Sequence, residues 1–155
     1  MLDYILTAAI SFSGLIVGII LILLAKEEQI PGIKYFSMFQ SLLIAVGFVV
    51  LFKVLGMNPI LNAVISIAVL LVLLYFDYKW KSYIAYPILG IMLYLSSVNN
   101  AALLIEASVV YLLGFPTAAL LLQIKKKDVW QSAGKIVLFH VSFLIISIGI
   151  YLIFG

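Results

Sequence analysis

Two charged residues, Glu106 and Lys53, lie inside long apolar stretches of this sequence. A charge within a membrane-spanning helix is costly to bury, so such residues are the first candidates for function. With the threading derived below, both side chains fall in the outer half of the bilayer and can pair across helices. Three alternatives follow: a structural Lys53–Glu106 tie, a Lys53 that extends to the surface beside a protonated Glu106, or a Glu106 that relays protons or cations.

Polar residues without charge form a second set of candidates. His140, the only histidine, lies at a depth that matches Gln40 in another apolar stretch, which predicts a hydrogen bond between helices. A catalytic zinc site takes about three protein ligands, and the sequence supplies no others beside His140. Asn62 belongs to a polar stripe with a four-residue repeat, which predicts a contact with another helix. We therefore expect neither a metal nor a cofactor.

Small residues and one proline indicate where helices approach each other or bend. Gly14 and Gly18 form a GxxxG pattern, which permits close contact with a helix of this chain or of a neighbour. Gly114 and Pro116 interrupt another apolar stretch, and Pro116 removes one backbone hydrogen bond, which predicts a kink. The kink is either a hinge or a static feature of packing.

The composition decides what kind of structure positions these residues. The chain has 155 residues, of which 66% are hydrophobic and 10% are charged. Soluble domains carry about 25% charged residues, so a water-soluble globule is excluded. No cysteine is present, which excludes disulfides, thiolate metal sites and cysteine nucleophiles. No catalytic motif appears, and the sequence favours a protein without catalytic activity of its own.

Short stretches that contain Gly, Pro, Asn or Lys interrupt the sequence and divide it into six apolar segments. The predicted fold is all-α: one domain over 1–155, a compact bundle of six transmembrane helices in three hairpins with very short loops. The predicted spans are about 4–25, 35–56, 59–76, 82–98, 101–124 and 133–154.

The lysines predict the orientation. Eight of the nine fall in the loops after the first, third and fifth spans: Lys26, Lys34, Lys79, Lys81, Lys125, Lys126, Lys127 and Lys135. The positive-inside rule places these loops in the cytoplasm and both chain termini outside the cell membrane. Because the lysines sort by membrane side, the net charge of +3 does not indicate nucleic acid.

The short loops limit the functions that remain, because they leave no domain outside the bilayer. The leading expectation is a non-catalytic subunit that packs, with lipid, against other subunits of a larger membrane complex, such as a respiratory, electron-transport or ion-translocating assembly. The alternative is a small solute or ion transporter, or its substrate-capture component, that uses Glu106. So short a chain has little material for two gates, so the alternative predicts a homo-oligomer.

Overall fold

The computed structural model describes residues 2–25, 27, 29–122 and 129–155. These residues form helices and no strand. The helices in this part of the chain are α1 (Leu2–Leu24), α2 (Gln29–Val54), α3 (Pro59–Tyr75), α4 (Tyr78–Ser96), α5 (Asn100–Leu121), α6 (Val129–His140) and α7 (Ser142–Phe154). Val141, between α6 and α7, keeps a right-handed helical backbone, so the last two helices form one apolar segment.

Four helical segments are long and apolar enough to cross a membrane, as expected for a membrane protein. They are Leu2–Leu24, Pro31–Val54, Asn100–Leu121 and Val129–Phe154. The two remaining helices are shorter or more polar: α3 has 17 residues and α4 has 19. At 1.5 Å per residue they measure about 25 and 28 Å, just under the hydrocarbon thickness of about 30 Å.

Asparagine and aspartate side chains begin the three central helices. Asn58 Oδ1 accepts a hydrogen bond from Ile60 N at 2.9 Å, and Pro59 follows it at the start of α3. Asp77 Oδ1 accepts from Lys79 N at 2.8 Å, and Asn99 Oδ1 accepts from Ala101 N at 3.0 Å. Each cap satisfies a backbone donor that has no partner within its own helix.

Several helices differ in extent from the predicted spans. The second span was predicted from 35, but α2 begins at Gln29 and includes Pro31. A proline is tolerated there because the first N–H groups of a helix have no partner in the helix. The fourth span was predicted from 82, but the Asp77 cap starts α4 at Tyr78.

The last two predicted spans also differ from the structure. The fifth was predicted to reach 124, but α5 ends at Leu121 and Leu122 has extended backbone. The sixth was predicted from 133, but α6 begins at Val129. The predicted lysine anchors Lys26, Lys125, Lys126 and Lys127 lie outside the described residues.

Contacts between side chains show which helices run in the same direction. Gly14 and Gly18 of α1 lie against Tyr111 and Gly114 of α5, so these two helices are parallel. Tyr4 stacks on Tyr151 with ring centroids 4.2 Å apart, so the start of α1 lies beside the end of α7. We call this end of the bundle the terminal end.

The helices α2, α4 and α6–α7 run together in the opposite direction to α1. Ser82 of α4 bonds to Gln40 of α2, whereas Met92 lies at Gly47. Farther along α4, Tyr86 contacts His140 and Gly90 approaches Phe143. Four of the five described lysines fall early in these helices, at the end opposite the terminal end: Lys34, Lys79, Lys81 and Lys135. We call this the lysine end.

Candidate functional site

Glu106 lies in the second turn of α5, and its side chain is 0% exposed. A Cβ atom added to Gly47 of α2 would lie 2.9 Å from Glu106 Oε1 and 3.1 Å from Met92 Cε of α4. The missing side chain of Gly47 therefore leaves the space that the carboxyl group occupies between three helices. Neither carboxyl oxygen has a hydrogen-bond partner among the described residues.

Lys53 does not provide that partner. Its side chain is exposed and lines an outward groove with Asn99 and Ala102 at the start of α5. Ala102 precedes Glu106 by one helical turn, so Lys53 lies near the same part of α5 but on the surface of the bundle. The Lys53–Glu106 ion pair, which was one of three alternatives, is not formed, because Glu106 faces the interior and Lys53 does not.

Five fully buried polar side chains from α2, α4, α5 and α6 lie toward the lysine end. We call them the polar cluster: Gln40, Ser82, Tyr86, Thr117 and His140. Gln40 Nε2 donates to Ser82 Oγ at 2.7 Å and to Thr117 Oγ1 at 3.2 Å. The imidazole ring of His140 meets the ring of Tyr86 edge to face, with centroids 4.5 Å apart.

Gln40 and His140 thus share one cluster, but the predicted hydrogen bond between them is not formed. His140 Nδ1 lies 2.6 Å from Ile136 O, so Nδ1 donates to that carbonyl. In the neutral ring Nε2 is then an acceptor. His140 Nε2 and Gln40 Oε1 both lack a hydrogen-bond partner among the described residues.

The buried polar atoms that lack a partner have a common chemical character. In the described residues they are Gln40 Oε1, Tyr86 OH, Ser96 Oγ, both oxygens of Glu106, and His140 Nε2. Four of these atoms are acceptors, the other two are hydroxyls, and none is a nitrogen that can only donate. An interior with spare acceptors favours protons, cations or water over anions.

An apolar segment separates Glu106 from the polar cluster. Glu106, Val110, Leu113 and Thr117 follow each other at helical spacing on one face of α5. Glu106 and Thr117 are eleven residues apart, or about 16 Å along the helix. Val110 and Leu113 between them are 0% exposed. Glu106 and the polar cluster therefore lie toward opposite ends of the bundle.

Lys81 is a buried charge that the sequence analysis missed by assigning it to a loop. It lies in the first turn of α4 and is only 3% exposed. Its Nζ donates to Ser37 Oγ and Ser41 Oγ of α2, at 2.9 Å each. Two sequence signals could have located Lys81. Asp77 is a residue type that caps helices, which places Lys81 in a first turn, and Ser37 and Ser41 at i, i+4 spacing offer two hydroxyls on one face of another helix.

The remaining predicted residues pack helices together. Asn62 of α3 donates to Val49 O of α2 at 3.0 Å, which is an interhelical contact of the expected kind. A Cβ atom on Gly18 would lie 2.6 Å from Gly114 O, so the two backbones meet within this chain. The helix α5 continues without interruption through Gly114 and Pro116.

Metal-binding side chains do not cluster in the part of the chain that the structure describes: no group of three or more His, Cys, Asp or Glu side chains lies together there. Comparisons with protein-family models, with curated proteins and with solved structures found no match to this chain.

Proposed function

We propose that this protein moves protons or small cations across a membrane, with Glu106 as the group that binds the proton or cation. The observation that carries the proposal is the buried Glu106 carboxyl group, whose two oxygens have no partner among the described residues. A buried carboxyl group without a hydrogen-bond partner destabilises the fold, so packing alone does not account for a glutamate at position 106. Buried ionisable groups in membrane segments mark ion and proton pathways in many proteins.

In this proposal the polar cluster is a second binding site for the proton or cation. Gln40 Oε1 and His140 Nε2 offer unpartnered acceptors toward the lysine end, and Glu106 offers two toward the terminal end. Val110 and Leu113 form the apolar barrier between the two sites. A cation then passes from one site to the other when the helices around this barrier move. The chain is short for two gates, so we expect it to work as a homo-oligomer.

The proposal includes the threading of the chain through the membrane. Six spans alternate in direction, both termini face outside the cell and the lysine end faces the cytoplasm. The relative directions of the helices support this arrangement, because α2, α4 and α6–α7 run together and α1 and α5 run the other way. The lysines at one end support the orientation.

A second candidate is the non-catalytic subunit of a larger membrane complex, in which Glu106 extends a pathway of the partner. The helix α3 favours it. Only Asn62 and Ser66 of α3 are buried, and both lie on the side that contacts α2. Most of its other side chains are exposed and are available to lipid or to another subunit.

The test is ion flux in vesicles that contain the purified protein alone and enclose a pH-sensitive dye. An imposed pH gradient, or a sodium or potassium gradient with matched pH, drives the flux. We expect wild-type protein to dissipate at least one gradient and Glu106→Gln to fall to the rate of empty vesicles. Glu27→Gln is the matched control, because it removes an exposed carboxyl group.

Three results are informative. Equal flux in wild type and Glu106→Gln contradicts a role for Glu106. Wild-type flux no faster than that of empty vesicles contradicts transport by this protein alone. If a stoichiometric partner also co-purifies in mild detergent, that result supports the subunit candidate.

A further inference from the structure

A narrow apolar cleft opens between the second half of α3 and the first half of α4, and α2 forms its floor. Its volume is about 220 Å³. Apart from Lys81, all its lining residues are apolar, and they include Ile44 and Phe48 of α2, Val69 and Leu73 of α3, and Ile84 of α4. The cleft exists because α3 packs mainly on α2 and leaves α4 beside it uncovered.

Lys81 lies at the end of this cleft nearest the α3–α4 turn, and among the described residues no acidic side chain forms an ion pair with it. Its Nζ contacts are the hydroxyls of Ser37 and Ser41 and the carbonyl of Ser37. Asp77 lies one turn away, but its carboxylate caps the backbone of Lys79. A buried ammonium held only by neutral acceptors is less stable than one that also faces an anion.

The turn beside the cleft has the composition of a membrane interface. Tyr75 is 94% exposed and Trp80 is 66% exposed. Lys79 is also exposed, one residue from Trp80. Exposed aromatic rings and lysines together are typical of segments at the level of lipid headgroups. Lys81 therefore lies close to where phosphate groups of a bilayer are found.

We infer that the cleft binds an anionic phospholipid, with one acyl chain between α3 and α4 and the phosphate beside Lys81 and Lys79. Basic pockets between transmembrane helices on the cytoplasmic side bind anionic headgroups in this way. The inference needs the protein to lie in a membrane, but it does not depend on ion transport.

The single cation at one end of an apolar cleft favours a lipid as occupant over an apolar helix of a partner, because such a helix would leave Lys81 without an anion. An acyl chain is narrow and flexible and can lie along the apolar walls. Neutral lipid satisfies the walls equally well, but only an anionic headgroup compensates Lys81.

The experiment uses Trp80 as the reporter in a Trp130→Phe background, which leaves Trp80 as the only tryptophan. The protein is placed in phosphatidylcholine vesicles that contain a minor fraction of phosphatidylglycerol. Bromine, which quenches tryptophan fluorescence, is carried on the acyl chains of one lipid or the other. We expect brominated phosphatidylglycerol to quench Trp80 beyond its share of the bilayer.

Two variants remove the binding site in different ways. Lys81→Gln keeps a donor for Ser37 and Ser41 but removes the charge, and it should reduce the quenching to the bulk share. Val69→Phe keeps the charge but fills the cleft, and it should have the same effect. Lys135→Gln is the matched control, an exposed lysine near the same end of the bundle on α6, and it should change nothing.

Two outcomes overturn the inference. The first is quenching by phosphatidylglycerol that never exceeds its bulk share. The second is an equal loss of quenching in Lys81→Gln and Lys135→Gln with none in Val69→Phe, which indicates attraction to the lysine end as a whole and no site in the cleft. Neither outcome depends on ion flux, so this inference and the proposed function can fail separately.

Discussion

Glu106 carries a penalty in the folded protein that an apolar residue would not carry. Its carboxyl group is buried between α2, α4 and α5, and no donor reaches its oxygens among the described residues. The sequence places this charge within an apolar stretch and so identifies it as a candidate. The sequence does not reveal that Glu106 and Lys53 stay apart, because position in the chain sets the depth of a residue, whereas the packing of the helices sets the direction of its side chain.

Replacing Glu106 by a methionine of similar length should therefore stabilise the protein. We expect Glu106→Met to raise the free energy of unfolding by about 1–3 kcal/mol, the range found when a buried polar group without a partner is removed. Thermal unfolding in a mild detergent, followed by circular dichroism, measures the change. Glu27→Met, at an exposed position, should leave the midpoint within error. A loss of stability in Glu106→Met would indicate a donor to the carboxyl group.

At the scale of helices, short-range chemistry predicts some boundaries and long-range packing decides others. Asn58 followed by Pro59 is a local signal, and α3 begins where it predicts. The start of α2 differs from the predicted one because a proline in the first turn does not end a helix. Gln29, six residues before the predicted start, ties α2 to α5 by donating to Ala119 O and Leu122 O. That contact joins positions about ninety residues apart, so no local pattern reveals it.

The crossing of α1 and α5 depends on residues without side chains. A Cβ atom on Gly14 or Gly114 would overlap the backbone of the facing helix, which cannot move aside as a side chain can. We expect Gly14→Leu to lower the free energy of unfolding by about 1–3 kcal/mol or more, as overpacking does in a dense interior.

Gly149→Leu is the matched control for Gly14→Leu, because a Cβ atom on Gly149 meets nothing within 4 Å. The same thermal unfolding experiment compares the two variants. If both variants lose the same stability, the loss comes from replacing any glycine by leucine and not from a clash where α1 and α5 cross.

At the scale of the whole molecule, several contacts together define the directions in which the helices run relative to one another. Tyr4 and Tyr151 stack, so the two chain ends meet. Asn62 of α3 bonds to Val49 O, and Ser41 bonds to Leu73 O, so α2 and α3 are antiparallel. The sequence predicts this alternation from short loops, because neighbouring helices joined by a short loop must be antiparallel. It does not predict that α3 leaves a cleft beside α4.

The sidedness of the chain tests the account most directly, and the absence of native cysteines makes the measurement clean. Single cysteines are introduced at Leu2, at Val98 and at Tyr75, all of which are exposed. An impermeant thiol reagent is then added to intact cells, before and after permeabilisation. We predict that Leu2→Cys and Val98→Cys react in intact cells, whereas Tyr75→Cys reacts only after permeabilisation. Reaction of Leu2→Cys and Tyr75→Cys from the same face would contradict the six-span threading.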